Sequence, residues 1–179
     1  KRDWSSDVCS SDLTVAYTDD WTEDAARRDF TMNALSVEPD GTLHDPFAGI
    51  ADLAAGRVRF VGDPATRIRE DVLRILRFFR FHAHFGRGAP DAGGLAACTA
   101  LASLLPNLSA ERIAAELKRL LKASDPAATL ELMRDHGVLT PILPHLADFK
   151  HLRRLQDIDS EGARDPLLRF AAILPRDRK

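Results

Sequence analysis

The sequence predicts an α+β chain that is mostly α, on three observations. Apolar residues recur at helical spacing through residues 67–81 and again in several stretches downstream. Before residue 63, short alternating runs are broken by Asp, Pro and Gly, as strands and turns are. Asp or Ser, in two places followed by Pro, stands where the downstream helices should start. With 45% hydrophobic residues in a chain of 179, a core can be buried in one to two small domains. Lys and Arg total 25 against 27 Asp and Glu, so nucleic-acid contact would have to come from a local basic patch. No apolar run is long enough to span a membrane, and no signal peptide opens the chain. Cys9 and Cys98 offer neither a disulfide framework nor metal-ligand spacing, so a reducing cytoplasm is the expected compartment.

Taken in order, residues 1–13 have no helical or strand period. Residues 3–13 resemble a widely used sequencing-library adapter read in this frame, so they are set aside, and native sequence is expected from Thr14 with more of it upstream. Residues 14–17 alternate and predict a strand; Asp19, Asp20 and Thr22 punctuate a loop. Residues 30–35 fit either a helix capped by Asp29 or a strand. Residues 35–37 and 42–44 flank Pro39-Asp40-Gly41 and predict a hairpin. Asp45-Pro46 turns the chain into a short helix or turn ending near Gly56, and residues 57–61 alternate as a strand.

Asp63 and Pro64 then introduce what reads as one amphipathic helix over 67–81, ending near Gly86. At about 100° per residue, Arg67, Glu70, Asp71, Arg74 and Arg77 share one arc, and Val72, Leu73, Ile75, Leu76 and Phe79 fill the other. Asp71 and Arg74, three residues apart, point the same way. Residues 95–105 form a helix stopped by Pro106. Ser109 caps residues 110–122, where Ile113, Leu117, Leu120 and Leu121 make the buried stripe. Asp125-Pro126 starts a helix to about His136, ended by Gly137. Helical patterns close the chain at 148–157 and 166–174. Asp157 with Asp159 reads as solvated charge, Gly93-Gly94 as a helix start, and His82 and His84 as rings that diverge on a helix.

Three motifs stand in order: Arg27-Arg28-Asp29-Phe30-Thr31-Met32-Asn33-Ala34; Asp45-Pro46 with Gly49 and Asp52-Leu53; and Glu70-Asp71-Val72-Leu73-Arg74. Together they resemble the bacterial tRNA nucleotidyltransferase and poly(A) polymerase family, closely over residues 14–121 and loosely beyond. The resemblance implies that residues 14–62 are the C-terminal part of a polymerase-β-like nucleotidyltransferase head with few strands. Residues 63–123 would be an all-helical neck with a nucleobase-reading helix, and residues 124–179 a truncated helical body. The implied activity is addition of CCA to tRNA 3′ ends from CTP and ATP, with a poly(A) polymerase as the rival within the family. From another class, the rival is a non-catalytic RNA- or nucleotide-binding helical module. The implied partners are tRNA, CTP and ATP, with no membrane. The implied cofactor is Mg²⁺, held in the family by a pair of Asp residues upstream of the Arg-Arg-Asp motif. No catalytic or metal residue is therefore expected here, and the chain alone is expected to be inactive.

On their own chemistry, Arg28 can fork onto a triphosphate oxygen, Asp29 can accept from a ribose hydroxyl, and Asn33 can support them or donate to phosphate. The resemblance makes Asp71 and Arg74 the base-reading pair. Cytosine and adenine both present an amino donor beside an unprotonated ring nitrogen, complementary to a carboxylate and a guanidinium. Arg77 would hold phosphate or brace the pair, and Arg80 carries a nucleotide role by resemblance alone, since it falls on the other side of the helix. Arg27, Glu70 and Arg67 are supporting residues, with Glu70 orienting Arg74 or a neighbour rather than reading the base. Glu111-Arg112-Ile113 with Glu116-Leu117 resembles a further motif that braces the neck, a structural role. Lys118, Arg119 and Lys122 form one basic cluster and Lys150, Arg153 and Arg154 another, each read as solvated charge at least as readily as RNA contact.

Overall fold

The computed structural model describes residues 20–146, 149–158 and 164–174. The adapter-like stretch, the strand expected at 14–17 and Asp159 lie outside the described residues. Helix α1 (Trp21–Ala26) opens the described chain, where the sequence reads as a loop. Its start is fixed by Asp20, whose carboxylate accepts from the Thr22 N–H at 2.8 Å. A helix of six residues with no apolar stripe gives no period to read. The choice at 30–35 falls to a 3₁₀ turn, Thr31–Asn33.

Strands β1 (Ser36–Val37) and β2 (Leu43–His44) form the expected hairpin, with Ser36 opposite His44 and Val37 opposite Leu43. Helix α2 (Gly49–Ala55) follows, its first N–H groups held by Asp45, which accepts from Gly49 at 2.6 Å and Ile50 at 3.1 Å. A Cβ on Gly49 would lie 2.2 Å from the Thr31 carbonyl oxygen, so only glycine lets α2 press this close to the 3₁₀ turn. The strand expected at 57–61 does not form. Among the described residues this segment makes a single bridge, Phe30 to Phe60, and no further ladder.

Beyond Asp63 the structure is helical: α3 (Pro64–Glu70), α4 (Arg74–Phe85), α5 (Ala92–Leu101), a 3₁₀ segment Ala102–Asn107, α6 (Ala110–Leu120), α7 (Pro126–Asp135), α8 (Lys150–Ile158) and α9 (Pro166–Ile173). Pro106 lies inside the 3₁₀ segment, not at the stop of a longer helix. The single helix expected over 67–81 is in fact two. Asp71 leaves the helix at φ −150°, ψ 105°. Its carboxylate accepts from the Leu73 N–H at 3.1 Å and its carbonyl from the Arg74 N–H at 3.0 Å, which starts α4 afresh. Short polar side chains bend a backbone in this way by competing with the helical hydrogen bond.

Helix α4 is the centre of the core. It packs along α6 and α7, while α3 packs on α5. Ile75, Leu76, Phe78 and Phe79 are buried on its inner face. Phe78 stacks on Phe60 at 5.6 Å, and Phe60 meets Phe30 at 4.9 Å, so an aromatic chain ties the hairpin region to the helices. Such contacts each add about 0.5–1.5 kcal/mol beyond their buried area. At the far end, the buried Arg169 donates to the carbonyls of Leu121 (2.7 Å) and Ala123 (2.9 Å), satisfying the open end of α6. Among the described residues, no helix is long and apolar enough to cross a membrane.

Candidate nucleotide-binding site

The break at Asp71 is what builds the site. Turning the chain between α3 and α4 lets Asp71, Leu73, Arg74 and Arg77 face the end of α1, and Arg112 reaches in from the start of α6. With Arg27, Arg28 and Asp29 they line an open polar cavity of about 380 Å³. Five arginines meet two aspartates there. The excess of positive charge suits a polyanionic ligand.

Each side chain is held by a neighbour, and the count of used hydrogen-bonding positions matters. Arg74 donates through one nitrogen to the Arg67 carbonyl (2.8 Å) and Glu70 (2.7 Å), and through the other to the Arg27 carbonyl (3.3 Å). A guanidinium has five N–H donors, so about two remain. Asp71 Oδ1 accepts from Leu73 N–H and from Arg112 (2.9 Å), and among the described residues Oδ2 accepts only from Arg112 (3.1 Å). Oδ2 therefore keeps an acceptor position. No ion pair joins Asp71 to Arg74 among the described residues; each is oriented by a third group, Arg112 or Glu70.

Asp29 differs. Its Oδ1 accepts from Phe30 N–H and Asn33, each at 2.9 Å, and its Oδ2 from Arg77 Nε at 2.7 Å, with the other Arg77 nitrogen in contact as well. Buried and fully occupied, Asp29 anchors Arg77, and a ribose hydroxyl could reach it only by displacing a donor. Among the described residues Arg28 is held only by Asp24 (2.9 Å), and it stays half exposed.

Of the remaining residues singled out by sequence, Asn33 stands behind Asp29, and Arg67 and Glu70 stand behind Arg74; none lines the cavity. Arg80 is not in the cavity at all. Three residues from Arg77, it turns to the α6 side, donating to the buried Glu116 at 2.6 Å with its guanidinium 4.3 Å from the Phe81 ring centre. Arg112 and Leu73 line the cavity without having been expected there. The Glu111-Arg112-Ile113 motif carries the signal for Arg112, which instead of only bracing the neck holds Asp71 at the cavity. Among the described residues there is no group of three or more His, Cys, Asp or Glu that could hold a metal ion. Cys98 lies in the core, where burial pushes its thiol up, so it supplies no thiolate.

A family model described as the poly A polymerase head domain matches residues 2–59, reaching into the adapter-like stretch. A second, described as a probable RNA and SrmB-binding site of polymerase A, matches residues 94–150. The chain is 38% identical over 165 residues to "CCA tRNA nucleotidyltransferase 1, mitochondrial" of Danio rerio, covering 89% of this chain and 38% of that protein. It is 41% identical over 128 residues to "Poly(A) polymerase I" of Haemophilus influenzae, covering 71% of this chain and 28% of that one. Among solved structures, the Bacillus stearothermophilus CCA-adding enzyme in complex with CTP matches at TM-score 0.70 and 36% identity, over 81% of this chain and 36% of the enzyme. The chain thus spans less than two fifths of the length of each of these relatives.

Proposed function

The chain belongs to the family of CCA-adding nucleotidyltransferases and poly(A) polymerases, and on that premise we propose that it is the nucleotide-selecting part of a tRNA nucleotidyltransferase that adds CCA to tRNA 3′ ends from CTP and ATP. The observation that carries this reading is the pairing of leftover positions at the cavity: one open acceptor on Asp71 and open donors on Arg74. A cytosine or adenine edge offers an amino donor and a ring-nitrogen acceptor, which fill both. Uracil and guanine offer a carbonyl oxygen and a ring N–H, which leave both unsatisfied or opposed. Arg28 and Arg77 stand ready for the phosphates, with Arg77 aimed by Asp29.

The residues described here do not suit a metal centre, so the proposed cofactor, Mg²⁺, would be held by other residues of the whole enzyme, and none of the residues named above is given a part in its chemistry. The partners proposed are tRNA, CTP and ATP, and the compartment is the cytoplasm. A second reading, poly(A) polymerase, is favoured by the Haemophilus influenzae relative. A full-length form of the protein separates the two when offered tRNA lacking CCA. We expect incorporation of CMP followed by AMP, stopping at CCA. Long tracts of AMP with no use of CTP would establish the second reading instead.

A further inference from the structure

We propose that Asp24 is a displaceable counter-ion: its carboxylate occupies Arg28 while the cavity is empty, gives way to a phosphate of the bound nucleoside triphosphate, and so sets how tightly that triphosphate is held. This rests on the nucleotidyltransferase reading, and it gives a positioning role to a residue that does not line the cavity.

Each of the five cavity arginines already has a carboxylate partner. Arg27 has Glu23, Arg28 has Asp24, Arg74 has Glu70, Arg77 has Asp29 and Arg112 has Asp71. Of these acids, Asp29 and Asp71 line the cavity and the other three stand outside it. The empty site is thus close to electrical balance. A polyanion that enters must take guanidinium donors from acids already there.

The two arginines assigned to the phosphates, Arg28 and Arg77, are held in opposite ways. Asp29, behind Arg77, has a side chain only 8% exposed and also accepts from Phe30 N–H and Asn33, so it cannot withdraw into water. Asp24, behind Arg28, is 44% exposed and meets its partner through one contact, Arg28 Nη2 to Asp24 Oδ2 at 2.9 Å. An exposed pair of this kind is weak, and a polyphosphate brings more charge than a carboxylate. Asp24 is therefore the acid that yields, and Arg77 stays fixed while Arg28 changes partner. The same exchange run backwards returns Asp24 to Arg28 as pyrophosphate leaves.

The pair also has an ordinary use. An acid in the first turn suits the helix dipole, and an acid four residues before an arginine supports a short helix. That use does not account for where the arginine stands. Arg28 lies past the end of α1 and lines the cavity, so any phosphate there competes with Asp24 for one guanidinium.

The test measures dissociation constants of inorganic triphosphate, CTP and ATP for the 179-residue chain by isothermal titration calorimetry. Asp24→Asn should tighten all three by the same factor, about twofold to fivefold, the worth of an exposed pair. Asp24→Glu, which keeps a carboxylate in the pair, should return the parent values. Arg28→Gln should weaken all three, and Asp24→Asn added to it should change nothing further, because the acid acts only through Arg28. Asp135→Asn removes the same charge from the Arg134 pair, outside the cavity, and should leave binding unchanged. A merely structural Asp24 would loosen binding on substitution or leave it alone. Unchanged or weaker triphosphate affinity in Asp24→Asn, equal tightening in Asp135→Asn, or no triphosphate binding by the parent chain would overturn the proposal. A parent chain that holds UTP as tightly as CTP would count against the base-selecting reading instead, and the triphosphate comparison would still decide this one.

Discussion

Helix α4 carries an arginine–carboxylate cluster on each of two sides, and they differ in how deeply the carboxylate is buried and occupied. On the α6 side, Arg80 is 14% exposed and Glu116 3%, and Glu116 spends one oxygen on Arg80 and the other on Arg119. Phe81 covers the Arg80 guanidinium from above. That cluster is closed. On the cavity side, Arg28 and Arg112 are about half exposed, Arg74 has donors to spare and Asp71 has an acceptor to spare. The same residue types, three positions apart on one helix, thus form a structural tie in one place and a receptor in the other. Residue identity does not separate them. The carboxylate does: Glu116 is 3% exposed with both oxygens taken, whereas Asp71 is 36% exposed with an acceptor position open.

The largest expected effect breaks the closed cluster. Glu116→Ala leaves Arg80 desolvated without its counter-ion, which costs about 3–5 kcal/mol when a buried pair is broken. Arg112→Ala breaks a half-exposed pair and should cost less than about 1 kcal/mol. Urea denaturation of the two variants side by side measures the contrast. Equal losses would mean that the two clusters are not different in kind. The smallest expected effect concerns pH and a third polar group of α4, His82. Burial lowers its pKa below the ordinary 6.5 because the charged ring is disfavoured there. The folded state therefore binds this proton less readily than the unfolded one. Its contribution to stability is fully present above pH 6.5 and is lost as pH falls from there through the folded value. Denaturation midpoints of His82→Gln should fall less than those of the parent chain over that window.

Much of the helical part was legible in the sequence because its signals are local. Asp63 with Pro64, Ser109, and Asp125 with Pro126 start α3, α6 and α7 where they stand in the chain, and their carboxylates or hydroxyl accept the expected N–H bonds. The hairpin at Pro39-Asp40-Gly41 was legible for the same reason, with Gly41 at φ +92°. The break at Asp71 was not, because the apolar stripe runs in phase through it from Ile68 to Ile75, both buried, and the groups that fix the turn include Arg112, forty-one positions away. The missing strand at 57–61 is the reverse case. Alternation is present, but pairing is a property of two segments, and among the described residues only Phe30 answers Phe60. In the site, Arg28, Asp29, Asp71, Arg74 and Arg77 were singled out from the motifs and the structure gathers them. That Asp29 is saturated and Arg80 closed off could not be read from the chain, since both depend on which partner arrives from a distant helix or turn.

The central claim is that the spare acceptor of Asp71 and the spare donors of Arg74 choose the base. The direct measurement takes a full-length form of the protein with Asp71→Ala and Arg74→Ala made separately, and follows incorporation of all four nucleotides. A mismatched polar pair in such a site costs on the order of 1–3 kcal/mol. Each substitution should therefore cut the preference for CTP and ATP over UTP and GTP by about fivefold to 150-fold, since 1.4 kcal/mol is tenfold. Either variant keeping the full preference of the parent enzyme would mean that these two side chains form only another ion-paired face of α4, and the account would be wrong.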